Sequence, residues 1–219
     1  MITAHHLVFG RKYSEYELRF DFNGNFNEKN GINNLVQNGT VTFTTDRKGG
    51  NTAIQLGSGY LTTVNNLPAS SVWSFSFWMK TTETLTRIIF AVNGVTTGNR
   101  EWGILVDNGK IRAEINNAGQ AYLNVGTAPT IINDNNWHHV VVILDSTQAA
   151  SNEVKIWIDN IAQTLTKSYN TDTSGSFINK GLIIGKASTN SNYLTGIVDD
   201  LKIYNRPLIQ TEITNLYNE

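Results

Sequence analysis

Residues 101–116 alternate apolar and polar positions on either side of an Asn108-Gly109 pair. Asn-Gly is the preferred centre of a two-residue type I′ turn, whose twist matches that of the strands it joins. Placing the turn there sets Val106 opposite Ile111, Ile104 opposite Ala113 and Trp102 opposite Ile115, all apolar. The other face pairs Leu105 with Arg112, Gly103 with Glu114 and Glu101 with Asn116. Turn chemistry and period-2 patterning agree, which predicts a hairpin with one buried face and a fixed register.

The same period recurs along the chain. Residues 19–25 read as a strand running into a turn, and 27–38 as a loop rich in Asn and Gly. Residues 40–44, 53–56 and 60–64 are short strand candidates, with Gly57-Ser58-Gly59 as a turn between the last two. In 71–80, Phe75, Phe77 and Met79 share one parity, while Ser74, Ser76, Trp78 and Lys80 share the other. Residues 87–92 add a strand, and 118–136 have no firm period. Both parities of 140–144 are apolar, which predicts a central strand covered on both faces. Val154, Ile156 and Ile158 then face one way, and Lys155, Trp157 and Asp159 the other. Residues 182–185 and 196–204 complete the series. Many short strands separated by turn residues predict an all-β, two-sheet antiparallel sandwich.

The last strand reads Gly196-Ile197-Val198-Asp199-Asp200-Leu201-Lys202-Ile203-Tyr204-Asn205-Arg206-Pro207. Strict alternation puts Asp199 beside Leu201 and Ile203, on the apolar parity. A carboxylate buried there must be paired, hydrogen-bonded or bound to a metal. This stretch resembles the C-terminal signature of laminin-G-like, concanavalin A-type jelly-roll domains. Ser74-Phe75-Ser76-Phe77-Trp78-Met79-Lys80, Trp137-His138-His139-Val140 and Val154-Lys155-Ile156-Trp157-Ile158-Asp159 fit the same family in the same order. The resemblance covers the chain from about Leu18 onward. It implies a jelly roll over 18–219 with one short C-terminal helix, shaped by residues 208–217, with Leu208, Ile213 and Leu216 facing the sandwich. Related glucanases hold a structural Ca²⁺ through the aspartate matching Asp199 and ligands near the chain's start. On that likeness, Asp21, Asn23 and Asn25 are the expected partners of Asp199.

Composition narrows the function classes. At 219 residues the chain is long for one domain, yet single all-β sandwiches reach this size. Its 17 basic residues balance 18 acidic ones without a basic stripe, which argues against a nucleic-acid partner. No apolar run approaches the roughly 18 residues of a membrane-spanning helix. Cysteine is absent, so a bound ion is the one available staple. Residues 1–17 read as an N-terminal arm, a surface strand or an anchor to an assembly, and lack the pattern of a secretory signal.

Catalytic sets are missing from the pattern. The glucanases of this fold carry a Glu-x-Asp-x-x-Glu strand, and this sequence has none. Glu101 and Glu114 approach on adjacent strands but sit on a polar face. His138 and His139 point to opposite faces, so they do not share an ion, and sheet packing is the favoured role for both. Trp78 is read as structural. Trp157, flanked by Lys155 and Asp159, is the candidate platform for a sugar ring. The expectation is a lectin-like, non-catalytic carbohydrate-binding module acting on extracellular or cell-surface glycans. The alternative is a structural or adhesion module, such as a bacteriophage virion surface or decoration protein attached through its arm.

Overall fold

The structure is a computed structural model that describes residues 17–92, 100–117, 124–169, 176–177, 179–186 and 193–219. Apart from Glu17, the arm read at residues 1–17 lies outside them, as do His5 and His6. In chain order the strands are β1 (Glu17–Phe20), β2 (Leu35–Thr44), β3 (Ala53–Thr63), β4 (Val72–Thr81), β5 (Arg87–Val92), β6 (Arg100–Asp107) and β7 (Lys110–Asn117). There follow β8 (Asn124–Ile131), β9 (His138–Asp145), β10 (Val154–Ile158), β11 (Ile161–Ala162), β12 (Thr166–Tyr169), β13 (Leu182–Ile184) and β14 (Gly196–Tyr204), then helix α1 (Gln210–Asn218). Among the described residues no helix is long and apolar enough to cross a membrane.

Every pairing is antiparallel, in the order β11-β10-β9-β4-β14-β3-β13-β5-β6-β7-β8-β12, with β1 beside β14 and β2 beside β3. The path curls until its ends oppose each other, making the two walls of a jelly roll. Gly126 of β8 lies directly across the core from Val154 of β10. A Cβ on Gly126 would come within 3.0 Å of Val154 Cγ1 and 2.8 Å of Leu165 Cδ1. Gly126→Val is therefore expected to cost about 1–3 kcal/mol through overpacking. Urea unfolding checks this, and an unchanged midpoint would mean that the walls part freely there.

The Asn108-Gly109 hairpin has the expected register, with φ of 50° at Asn108 and 72° at Gly109. Trp102, Ile104, Val106, Ile111, Ala113 and Ile115 are all buried. Strand β9 is covered on both faces. Val140, Val142 and Leu144 enter the main core, while Val141 and Ile143 join a second apolar layer with Val72, Tyr204, Leu208, Ile213 and Leu216. That layer seats α1 on the outside of the first wall. Glu212 begins the helix by accepting the Ile209 N–H at 3.0 Å, and it also grips the Arg206 guanidinium at 2.6 and 2.9 Å. A residue without a capping side chain is thereby capped from within the first turn.

Two expectations fail for identifiable reasons. Gly57-Ser58-Gly59 is not a turn: β3 runs through it, paired with β2. Gly59 answers to close backbone approach, since a Cβ there would meet Thr40 backbone atoms at 2.6 Å. Strands β8, β11 and β12 lack a legible period: Gly126 and Pro129 interrupt β8, β11 is only two residues long, and β12 is mostly polar and exposed.

Candidate functional site

Strand β10 ends the first wall, and only Trp157 and Ile158 of it pair with β11. Asp159 and Asn160, at φ of 51° and 65°, make the tight turn between them. Along the remaining flank of β10 lies a hollow of about 360 Å³. Lys155, Trp157, Gln163, Thr164, Leu165 and Lys167 supply its side chains, over a floor from Val154, Ile156 and Ala162. The Gln163 amide is held in place, accepting from Thr130 Oγ1 at 2.7 Å and donating to the Ile161 carbonyl at 3.0 Å. Lys167 donates to the Ser151 carbonyl.

Trp157 and Lys155 face away from the core, as their parity requires. The ring is only half free, however, because it packs against the layer beneath α1 and its Nε1 donates to Gln210 Oε1 at 3.0 Å. Asp159 departs from the expected trio. Its Oδ1 accepts the His139 N–H at 2.9 Å, and its Oδ2 lies 2.8 Å from His138 Nδ1. The positive φ of the turn carries the carboxylate back onto β9 and out of the hollow's lining. Gln163, Thr164 and Lys167, which complete the hollow, belong to a stretch with no sequence signal.

Both histidines have structural partners. Burial alone would lower the pKa of His138, but its hydrogen bonds to Asp159 and Asp134 outweigh burial and raise it. Asp134 is drawn down to about 2, chiefly by hydrogen bonds from Asn136. His139, buried beside Ser76 at 2.9 Å, is pushed down to about 4 by desolvation.

Asp199 is buried for a different reason from the one its parity suggests. The β14–β4 ladder shifts between Asp199 and Lys202, and Asp200 takes a φ of 46°. This bulge inserts a residue, so Val198, Leu201 and Ile203 all reach the core while Asp199 pairs with Trp78 on the outer face. A polar layer covers it there. The Arg47 guanidinium lies 4.4 Å above the Trp78 ring and 3.1 Å from Asp200 Oδ2, and Tyr217 of α1 stacks on Trp78 at 5.7 Å. Lys202 pairs with Glu219. Burial, then the neighbouring Asp200 charge, pushes the Asp199 carboxyl up to about 7.

The calcium cage expected from the sequence needs Asp199 and residues 21–25 at one point. Asp21, Asn23 and Asn25 line a hollow of about 230 Å³ with Phe22, Asn27, Glu28 and Lys29, and Asp21 lies 4.0 Å from the Lys29 ammonium. Glu28 there is saturated by the backbone N–H groups of Arg19, Asn30 and Ile32. Among the described residues no three acidic or histidine side chains converge as metal ligands.

Glu101 and Glu114 lie on the outer face of the second wall, the one that contains β5, β6, β7 and β8. Glu114 sits opposite Gly103, and Glu101 opposite Asn116, one diagonal step away. Arg112 reaches Glu114 at 3.0 Å and Asp107 at 3.3 Å. Burial raises the pKa of Glu114 despite that ion pair.

A family profile described as concanavalin A-like lectin/glucanases superfamily matches residues 48–214. No curated protein sequence matches the chain. Among solved structures, domain 4 of AbnA, a GH43 extracellular arabinanase from Geobacillus stearothermophilus in complex with arabinotriose, superposes with a TM-score of 0.70 at 17% identity. That match covers 93% of this chain and 100% of that one. A botulinum neurotoxin type C structure, from work on cell entry dependent upon two ganglioside molecules, gives 0.67 at 16% identity. It covers 94% of this chain but 51% of the toxin chain, so this protein spans about half of that relative. The binding domain of botulinum neurotoxin DC in complex with rat synaptotagmin II gives 0.68 at 13% identity, covering 94% of this chain and 51% of that one. At these identities the likeness is one of fold.

Proposed function

We propose that this chain, which belongs to the concanavalin A-like lectin/glucanase superfamily, is a non-catalytic carbohydrate-binding module for extracellular or cell-surface glycans. The observation that carries this reading is the hollow beside β10. A half-exposed indole borders it, a fixed amide and a hydroxyl stand around it, and its volume of about 360 Å³ suits one or two sugar rings. An aromatic face takes the apolar side of a pyranose, while amide and hydroxyl groups take its hydroxyls. Neighbours in fold that bind arabinotriose or depend on gangliosides support the same reading. Binding is favoured over hydrolysis because Glu114 is held by Arg112. Retaining glycoside chemistry needs two carboxylates about 5 Å apart flanking the scissile bond.

The test uses the full chain on a glycan array, together with a variant that narrows the hollow. Ala162→Leu with Thr164→Leu changes two exposed positions of the lining and leaves the core untouched. Glycan affinity should fall at least about tenfold, equivalent to 1.4 kcal/mol, with the melting temperature unchanged. Undiminished binding would move the site elsewhere on the fold. A parent chain that retains no glycan at all would overturn the function.

A further inference from the structure

We propose that the saccharide held in the hollow beside β10 is anionic, carrying a carboxylate or a sulfate. This rests on the glycan reading above and adds the charge of the ligand to it. Two lysines, Lys155 from β10 and Lys167 from β12, line the same hollow, and its lining contains no acidic residue. Neither lysine enters an ion pair among the described residues, and Lys155 is exposed. Asp159, the next acid after Lys155 on its parity, is turned onto His138 and the His139 N–H.

The convergence is local. The whole chain has a net charge of −1, so an excess of positive charge at one place does not follow from its composition. Lysines on free strand edges also discourage edge-to-edge pairing; β12 ends the sheet path, and Lys155 lies on the stretch of β10 that β11 does not pair. Edge protection, however, asks only that each lysine reach solvent. It gives no reason for two from opposite walls to border one concavity beside an indole and a fixed amide. A carboxylate or sulfate in that concavity would accept charge-assisted hydrogen bonds from Lys155, and from Lys167 in addition to its bond with Ser151.

The experiment compares one neutral oligosaccharide series with its uronate-containing and sulfated counterparts, on the full chain and on Lys155→Gln and Lys167→Gln. Both substitutions keep a long polar side chain at a surface position, so folding is checked by an unchanged melting temperature. The parent should prefer the charged ligands by about tenfold or more. Each variant should lose much of that preference, read as the ratio of charged-ligand to neutral-ligand affinity. Raising salt from 50 to 500 mM should weaken only charged-ligand binding, because screening shortens the reach of the ammonium groups. The uronate and sulfate arms show which anion is read. Equal binding of neutral and charged series would overturn this inference and leave the glycan function standing. A preference that survives both substitutions would also overturn it, by placing the charge readout elsewhere. Failure to bind any series would remove the glycan reading and this inference together.

Discussion

Trp78→Ala is expected to lower the unfolding free energy by about 3–5 kcal/mol, the usual cost of removing a buried tryptophan. The ring is 9% exposed and is the centre of the polar layer between the first wall and α1. Arg47 lies 4.4 Å above it, Tyr217 stacks at 5.7 Å and His139 leans on it at 5.2 Å. Truncation leaves the Arg47 guanidinium over a void and takes from α1 its aromatic contact near the C-terminus. The loss should therefore exceed simple area burial, and hydrogen exchange should report α1 opening before β4. Glycan affinity should change little, since the hollow beside β10 does not include Trp78. Unfolding in urea gives the free energy directly, and a loss below about 1 kcal/mol would show that the layer closes around the gap.

Asp199→Asn is expected to act in the opposite direction, raising stability at pH 8 by roughly 2–4 kcal/mol. The folded-state carboxyl titrates near 7 against an ordinary 3.8. Folding therefore binds a proton in that interval, and the parent loses stability as pH rises from 3.8 through 7. Above pH 7 the penalty is fully present; below 3.8 it is gone. Each pH unit in the interval corresponds to about 1.4 kcal/mol. Asparagine does not ionise, and its carbonyl still accepts the Asp200 N–H that Asp199 Oδ1 takes at 2.8 Å. Arg47 keeps Asp200 as its partner. His139 sets a counter-trend in both proteins. Its pKa of about 4, against 6.5, favours the unfolded chain as pH falls through that range. The parent should accordingly show a shallow pH profile between 4 and 6.5, where the two effects oppose each other. The variant should keep the His139 decline on the acid side, and both proteins should lose stability as pH rises past 6.5, where His138, whose folded pKa is raised, gives up its proton. Melting curves at pH 5 and pH 8 decide it, and a variant no more stable than the parent at pH 8 would refute the burial argument for Asp199.

The hairpin at Asn108-Gly109 was legible because two independent signals, a turn that demands positive φ and an apolar alternation on both arms, admit one register. Strand β9 was legible for a similar reason, since apolar residues on both parities require cover on both faces. At the other extreme, Asp199 shows how one inserted residue defeats periodic reading. The bulge reverses the face of a carboxylate, and its sequence, Asp199-Asp200, carries no mark of the reversal. Arg47 is invisible for another reason. It lies more than 150 positions from Asp200, in the turn between β2 and β3, and only the β3–β14 pairing brings that turn over Trp78.

Local sequence thus determined what depends on neighbours along the chain: strand periods, the type I′ turn and the buried faces of β4, β7 and β9, while the helix after Pro207 was expected from the likeness to laminin-G-like domains. Tertiary structure alone decided what depends on neighbours across the sandwich. It closed β10 against β8 over Gly126 and turned Asp159 toward His138. It also gathered Lys155, Trp157, Gln163 and Lys167 around one hollow. The physical reason is range. Backbone propensity and alternation act over a few residues, whereas a binding surface on a curled sheet is assembled by ladder order and bulges, which place side chains from distant strands at one point.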